Sequence, residues 1–439
     1  MRKLIITLFF FSLLISGRAS ALLSLELTRG VSGAVPIAIS PFGGAGASAP
    51  QNISAIVSND LQNSGRFKVF GHDAMNQYPS DVNDIQYSYF RSLGAEKLVI
   101  GKITLVGSNQ YQVNFALLDV FKGKDSAHNS QAVVLQDKFV VSGSQLRPLA
   151  HHISDIIYQQ ILGTRGIFST RLAYVLVQRS PGKPPLHVLE VSDQDGYNSH
   201  PLLSSKDPIM SPAWSPDGRR IAYVSFENRR SSIYVEDVAN GSRRVVSQYH
   251  GINGAPAWSP DGRKLALVLS KDGSPNIYAL TVSTGQLTQM THDWSINTEP
   301  AWAPNGKSLV FTSNRGGAPQ IYQLNLATQA VSRVSYDGDY NARASFTADG
   351  SHIAMLHREN GVYNVGLLDL DAGRFHLLTS NGTDNESPSV APNGSMVLYG
   401  TLYNGSSMLG MVSSDGKVQL RLPARNGEVQ DPAWSPFLS

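Results

Sequence analysis

Few residues in this 439-residue chain stand in a pattern that could carry out covalent chemistry. Gly44-Ala45-Gly46 with Ala49 follows an apolar run and precedes a helical one, the setting of a dinucleotide-binding loop. However, Pro41 and Phe42 separate it from the strand, Pro50 adjoins it, and Asp73 lies about 30 residues on rather than near 20. The loop therefore reads as a turn. His151-His152 with Asp155 offers two metal donors on a helix, but no His-Glu-x-x-His and no third ligand accompany them, so both histidines read as surface residues. No Gly-x-Ser-x-Gly elbow occurs. The absence of cysteine excludes disulfides, Cys-based zinc sites, iron–sulfur clusters and a thiol nucleophile. The expectation is a chain with no catalytic residues, no cofactor and no metal.

Charge points the same way. Of 36 Lys and Arg, three (Arg2, Lys3 and Arg18) fall in an N-terminal leader; the other 33 balance 33 Asp and Glu. A nucleic-acid partner is not expected from a chain so evenly charged. Residues 4–15 form an apolar run about 12 residues long, too short to span a bilayer and suited to a signal-peptide core. Ala19-Ser20-Ala21 supplies a small-x-small cleavage site. Residues 1–21 are thus expected to be removed after Ala21, leaving an exported chain without a transmembrane segment.

The elements that position any site come from a repeat. Pro212-Ala213-Trp214-Ser215-Pro216-Asp217-Gly218 recurs at 256–262 and 300–306, weaker copies stand at 344–350 and 388–394, and Pro432-Ala433-Trp434-Ser435-Pro436 is the last. The central residues Trp214, Trp258, Trp302, Phe346, Val390 and Trp434 are 44 apart, a period that suits a four-stranded propeller blade. Pro-Asp-Gly predicts a tight turn: proline presets φ, aspartate caps the backbone and glycine takes positive φ. The final copy has no second strand after it, while residues 171–175 have no motif before them. The last strand should therefore close the first blade, giving a six-bladed all-β propeller over 167–439 with no open sheet edge between its blades.

Residues 22–166 lack that period and read as an α/β domain. Strands are expected at 36–39, 67–70, 97–106, 111–120 and 133–141, and helices at 52–64, 84–93 and 145–162.

Two features point to binding. Polar loops enter each inner strand and together ring one mouth of the channel. They carry His250, Asn253, Ala255, Thr298, Glu299, Asn341, Arg343, Asn385, Glu386 and Asp431. Near the chain start, Leu23, Leu25 and Leu27 alternate with polar residues, and Gly30 and Gly33 offer a hinge. Such a strand can join another protein's sheet edge, or serve as the first strand of its own domain.

These stretches, with Gly30-Val31-Ser32-Gly33-Ala34-Val35-Pro36-Ile37, Ser192-Asp193-Gln194-Asp195-Gly196-Tyr197-Asn198 and the Pro-Ala-Trp-Ser-Pro-Asp-Gly repeats, resemble the TolB family of the bacterial Tol-Pal system. The resemblance implies a monomeric, non-enzymatic periplasmic protein. Its propeller mouth would bind the lipoprotein Pal and its N-terminal segment TolA, supporting outer-membrane integrity and constriction during cell division. It implies a Pal-facing role for Ala255 and Thr298. The family pattern places a histidine directly before Asn-Gly-Ala, where this chain has Ile252, with His250 two residues earlier. The rival reading is an exported propeller enzyme of the metal-dependent lactonase or peptidase-related type, using acids at the channel openings.

Overall fold

In the computed structural model the described residues are 23, 25–44, 49–125, 131–380, 382–424 and 426–438. The leader over 1–21 with its cleavage point, and Ala45 and Gly46 of the glycine-rich loop, lie outside them.

The described chain opens with β1 (Glu26–Arg29), and the N-terminal sheet begins at β2 (Val35–Ile39). The two-residue β3 (Gly43–Gly44) and helix α1 (Ile53–Asn63) follow, then β4 (Phe67–Phe70) and α2 (Tyr87–Leu93). The domain finishes with β5 (Lys97–Gly107), β6 (Gln110–Asp119), β7 (Val133–Ser142) and α3 (Leu146–Leu162). The sheet order is β4-β2-β5-β6-β7; β2 runs parallel to β4 and β5, and β5 to β7 form an antiparallel meander. Asn52 caps α1 by accepting from Ala55 N at 3.1 Å. The apolar stripes of α1 (Ile53, Val57, Leu61) and α3 (Leu149, Ile153, Ile157) cover one sheet face. Tyr87 and Phe90 of α2 cover the other, against Leu98, Ile100 and Leu118.

The helix expected from residue 84 starts three residues later. Asp81 caps a short 3-10 turn, Val82–Asp84, through Asn83 N, and Ile85 returns to extended backbone before α2 begins.

The second half is a six-bladed propeller. Inner strands Ile209–Trp214, Asn253–Trp258, Asn297–Trp302, Tyr340–Phe346, Asn385–Val390 and Glu428–Trp434 each head an antiparallel blade. The Pro-Asp-Gly turns form as expected: Gly218 has φ 68°, its N–H donates to Ser215 O at 2.9 Å, and Asp217 accepts from Arg219 N at 3.1 Å.

The 44-residue slot staples neighbouring blades. Trp214 Nε1–H donates to Ala433 O at 3.2 Å, Trp258 to Ala213 O at 3.1 Å and Trp302 to Ala257 O at 3.2 Å. Each indole thus reaches the residue just before the corresponding tryptophan of the preceding blade. Where Phe346 and Val390 replace tryptophan, a serine takes over. Ser345 Oγ accepts from Val390 N at 3.2 Å, and Ser389 Oγ accepts from Trp434 N at 2.9 Å.

The C-terminal strand closes the ring. Val429 pairs with Leu176 and Trp434 with Leu172, while Arg171 and Ser435 exchange two 2.9 Å hydrogen bonds. Trp434 Nε1–H donates to Thr170 Oγ1 at 2.8 Å.

β1 belongs to none of the N-terminal domain's strands. It is the fifth, outermost strand of the blade headed by Asn385–Val390, antiparallel to Gln419–Pro423, with Glu26 opposite Arg421 and Leu27 opposite Leu420. Leu23 bridges to Ala424 and is fully buried.

Two outcomes are expected. Trp258→Ala should lower propeller stability by about 3–5 kcal/mol through an interface cavity, and partly buried Trp302→Ala by less, in denaturant titrations; unchanged midpoints would remove this slot from the core. Deleting residues 432–439 should strip Leu172 and Ala173 of their strand partners, open that end of the edge of Arg171–Gln178 and cause aggregation, read by light scattering. A monomer with the parent Tm would contradict the closure.

Candidate functional site

The inner strands line a central channel of about 830 Å³. Each strand carries one residue with positive φ, at the same 44-residue period: Ser211, Ala255, Glu299, Arg343, Ser387 and Asp431, with φ between 45° and 52°. The blade register slips at each of them. These are β-bulges that turn the side chain into the channel. None is glycine, so each holds left-handed backbone at a cost of about 1 kcal/mol. Strain of this kind collects at functional positions.

The ring is bound across the channel. Arg343 Nε–H donates to Glu299 Oε1 at 2.9 Å and its Nη1–H to Asp431 Oδ1 at 2.9 Å, and Ser387 Oγ also contacts both Arg343 and Asp431. Asp431 Oδ2 accepts from Ser211 N at 3.1 Å, and Glu299 Oε2 from Thr312 Oγ1 and Arg343 N. Burial alone would push the Asp431 carboxyl up, but Arg343 prevails and holds it below the ordinary carboxylate range. The guanidinium is raised in turn: burial opposes its charge, and Asp431 and Glu299 outweigh it. One arginine thus ties bulges on four of the six blades.

Asn253, Ala255, Thr298, Glu299, Arg343 and Asp431 line the channel. Arg343, Asn385 and Glu386 line an adjoining recess of about 370 Å³ with Tyr340 and Tyr363. His250 stays outside both, exposed on its loop, and Ile252 takes the channel position.

Three of the residues expected at the mouth are asparagines held inside their loops. Asn253 and Asn341 are fully buried and Asn385 nearly so. Their amides donate within their own loops: Asn253 to Tyr249 O, Asn341 to Asp337 O and Asn385 to Thr383 O. These bonds fix the shape of the loops that enter the inner strands. Glu299, Arg343 and Asp431 likewise bind one another, so the carboxylates that a channel enzyme would draw on are both engaged.

Sequence reasoning missed the apolar rim. Trp294 is 89% exposed, Tyr336 70%, Ile296 51% and Ile252 48%, all on loops entering inner strands. The signal was available: Trp294 is the one tryptophan of five outside the 44-residue slot.

His151 also needs correction. It is buried, with Nδ1 2.9 Å from Asp60 Oδ2, whereas His152 is exposed and sits edge-on to Phe139. The i, i+4 series Arg147, His151, Asp155 turns one face of α3 toward α1 and the propeller.

Gly30 lies against Gly65, leaving a β-carbon only 3.2 Å from Gly65 O, and Gly33 has φ 85°. Val31 N–H donates to Gly65 O at 3.0 Å. Leu25 and Leu27 pack beside Leu23, Leu420 and Val418. Only one edge of β1 is paired among the described residues.

Residues 158–438 match the family model described as the TolB beta propeller domain, and residues 23–126 that of the TolB amino-terminal domain. The Tol-Pal system protein TolB of Coxiella burnetii is 51% identical over 236 residues, 53% of this chain and 52% of that protein. The namesake from Nitrosococcus oceani is 45% identical over 235 residues, 54% of this chain and 52% of that protein. The chain thus spans about half the length of the curated relatives it matches. The crystal structure of TolB from Acinetobacter baumannii superposes with a TM-score of 0.85 at 38% identity, covering 94% of this chain and 100% of that one. A domain of each kind in the same order, and one solved fold over nearly the whole length, place this chain in the TolB family.

Proposed function

We propose that this chain is a non-enzymatic binding component of a Tol-Pal system, acting in the periplasm after export. In this reading the propeller mouth holds the lipoprotein Pal and the N-terminal strand engages TolA. The joint action supports outer-membrane integrity and constriction during division. Family membership supports the system; the carrying observation is the mouth itself, where a strained, internally bonded ring lines the channel with Ile252, and the loops entering the inner strands expose Trp294, Ile296 and Tyr336. A rigid floor under an aromatic rim suits a protein loop, because aromatic anchors supply most of the binding energy at such surfaces.

The second surface is β1. Its unpaired edge can take a partner strand in place, or the segment can leave Gln419–Pro423 and pair elsewhere. Since β1 packs on a blade of the same propeller, a mouth partner that prefers one state of the blade shifts the segment, and the coupling is reciprocal.

Calorimetric titration with a soluble Pal domain tests the mouth. Thr298→Ile, which adds bulk at the channel wall, and Trp294→Ala should each weaken binding about tenfold or more, a loss of about 1.4 kcal/mol or greater. Parent affinity in both would move the site elsewhere. Removing residues 22–33 should abolish TolA binding and change Pal affinity by roughly 5- to 150-fold; an unchanged Pal affinity would mean two independent sites.

A further inference from the structure

The N-terminal segment rests on more than a sheet edge. Its first described residue, Leu23, sits directly on Gly196 of the propeller: a β-carbon there would lie 2.6 Å from Leu23 Cβ and 2.9 Å from its carbonyl oxygen. Gly196 has φ 81° and belongs to the turn at 193–198 between two strands of the ring-closing blade. Gln194 of the same turn lines a small cavity with Leu25, Asp60 and Leu420.

That turn is held from the N-terminal domain. Arg147 of α3, only 9% exposed at its side chain, donates from Nε to Asp193 Oδ2 at 3.1 Å and from Nη2 to Asp195, and its guanidinium lies 3.9 Å from the Tyr197 ring centroid. One turn further along α3 is His151, paired with Asp60 of α1, which also accepts from Ser154 Oγ at 2.7 Å. His151 Nε2 is buried without a hydrogen-bond partner among the described residues. A ring nitrogen of His151 and carboxylate oxygens of Asp60 and Asp195 lie within 4.8 Å of one another. The guanidinium on Asp195 and the imidazole on Asp60 make this an ion-pair cluster rather than a cation site.

We infer that the turn at 193–198 is the seat of the docked N-terminal strand, and that Arg147 and His151 are positioning residues whose charge holds that seat and sets how readily the strand leaves. The inference rests on the docked and released states proposed above. The groups facing His151 are Asp60 from α1, Arg147 and Asp155 from α3, and Asp195 with Asp193 behind it from the propeller. Burial alone would depress the His151 pKa; Asp60 and then Asp195 outweigh it and lift it to about 9. A folded pKa above the unfolded one means the contribution is complete below about 6.5 and is lost as pH rises through 9.

Hydrogen–deuterium exchange of the amides of residues 26–31 in the full chain, without any partner, tests this. At pH 7, Asp195→Asn and Arg147→Met should each lower protection of these amides about tenfold or more, while strands Arg220–Ser225 and Lys264–Leu269 keep theirs. Lys97→Met, which breaks a pair inside the N-terminal domain, should change nothing. After correction for intrinsic rates, protection in the parent should fall between pH 6.5 and 9.5, and His151→Gln should remove that fall. Parent-like protection in Asp195→Asn and Arg147→Met, or an unaltered pH profile in His151→Gln, would overturn the inference. A parent segment with no protection at all would instead overturn the docked state on which it rests.

Discussion

Ring closure is the constraint on which the rest depends. Strand Glu428–Trp434 pairs with Arg171–Gln178, more than 250 residues earlier in the chain, and only this pairing lets every inner strand face the same channel. Once the ring is closed, the six bulges come together, and an arginine on one blade can reach carboxylates on two others. Without closure Glu299, Arg343 and Asp431 would be three separate loop residues. Closure also brings the turn at 193–198 beside α3 and beside the blade that carries β1, so the seat of the N-terminal segment is a consequence of the same pairing.

Blade-to-blade contacts follow two chemical solutions to one problem. A tryptophan crosses the interface with its indole N–H; where the slot holds phenylalanine or valine, a serine one residue earlier in that motif makes the crossing bond with its hydroxyl. Both bury an apolar residue and satisfy a backbone group, which an interior interface requires. The asparagines at 253, 297, 341 and 385, at or next to the start of four inner strands, serve the loops in the same way.

Much of this was legible in the sequence. The 44-residue period, the Pro-Asp-Gly turns and the unpaired last motif define the blade count and the closure, because turns and core slots are local signals. The alternation of Leu23, Leu25 and Leu27 marks a strand, but alternation says nothing about which sheet edge it joins; that depends on Gly65, Gly196 and Val418, distant in sequence. The ionic floor of the channel was invisible for a similar reason. Its left-handed positions are filled by Ser, Ala, Glu, Arg and Asp rather than glycine, so no single residue type announced them, and the pairing spans residues 44 and 88 apart. The burial of His151 was half legible: its spacing from Arg147 and Asp155 showed a polar stripe, but the acids that answer it come from α1 and the propeller.

The central claim is that one molecule joins two binding surfaces through the position of a docked strand. The most direct measurement is amide exchange of residues 26–31 in the unaltered chain, with and without a saturating soluble Pal domain. The account predicts that occupancy of the mouth changes protection of these amides, in either direction, by about fivefold or more. Identical protection in the free and saturated protein, with Pal bound, would contradict it.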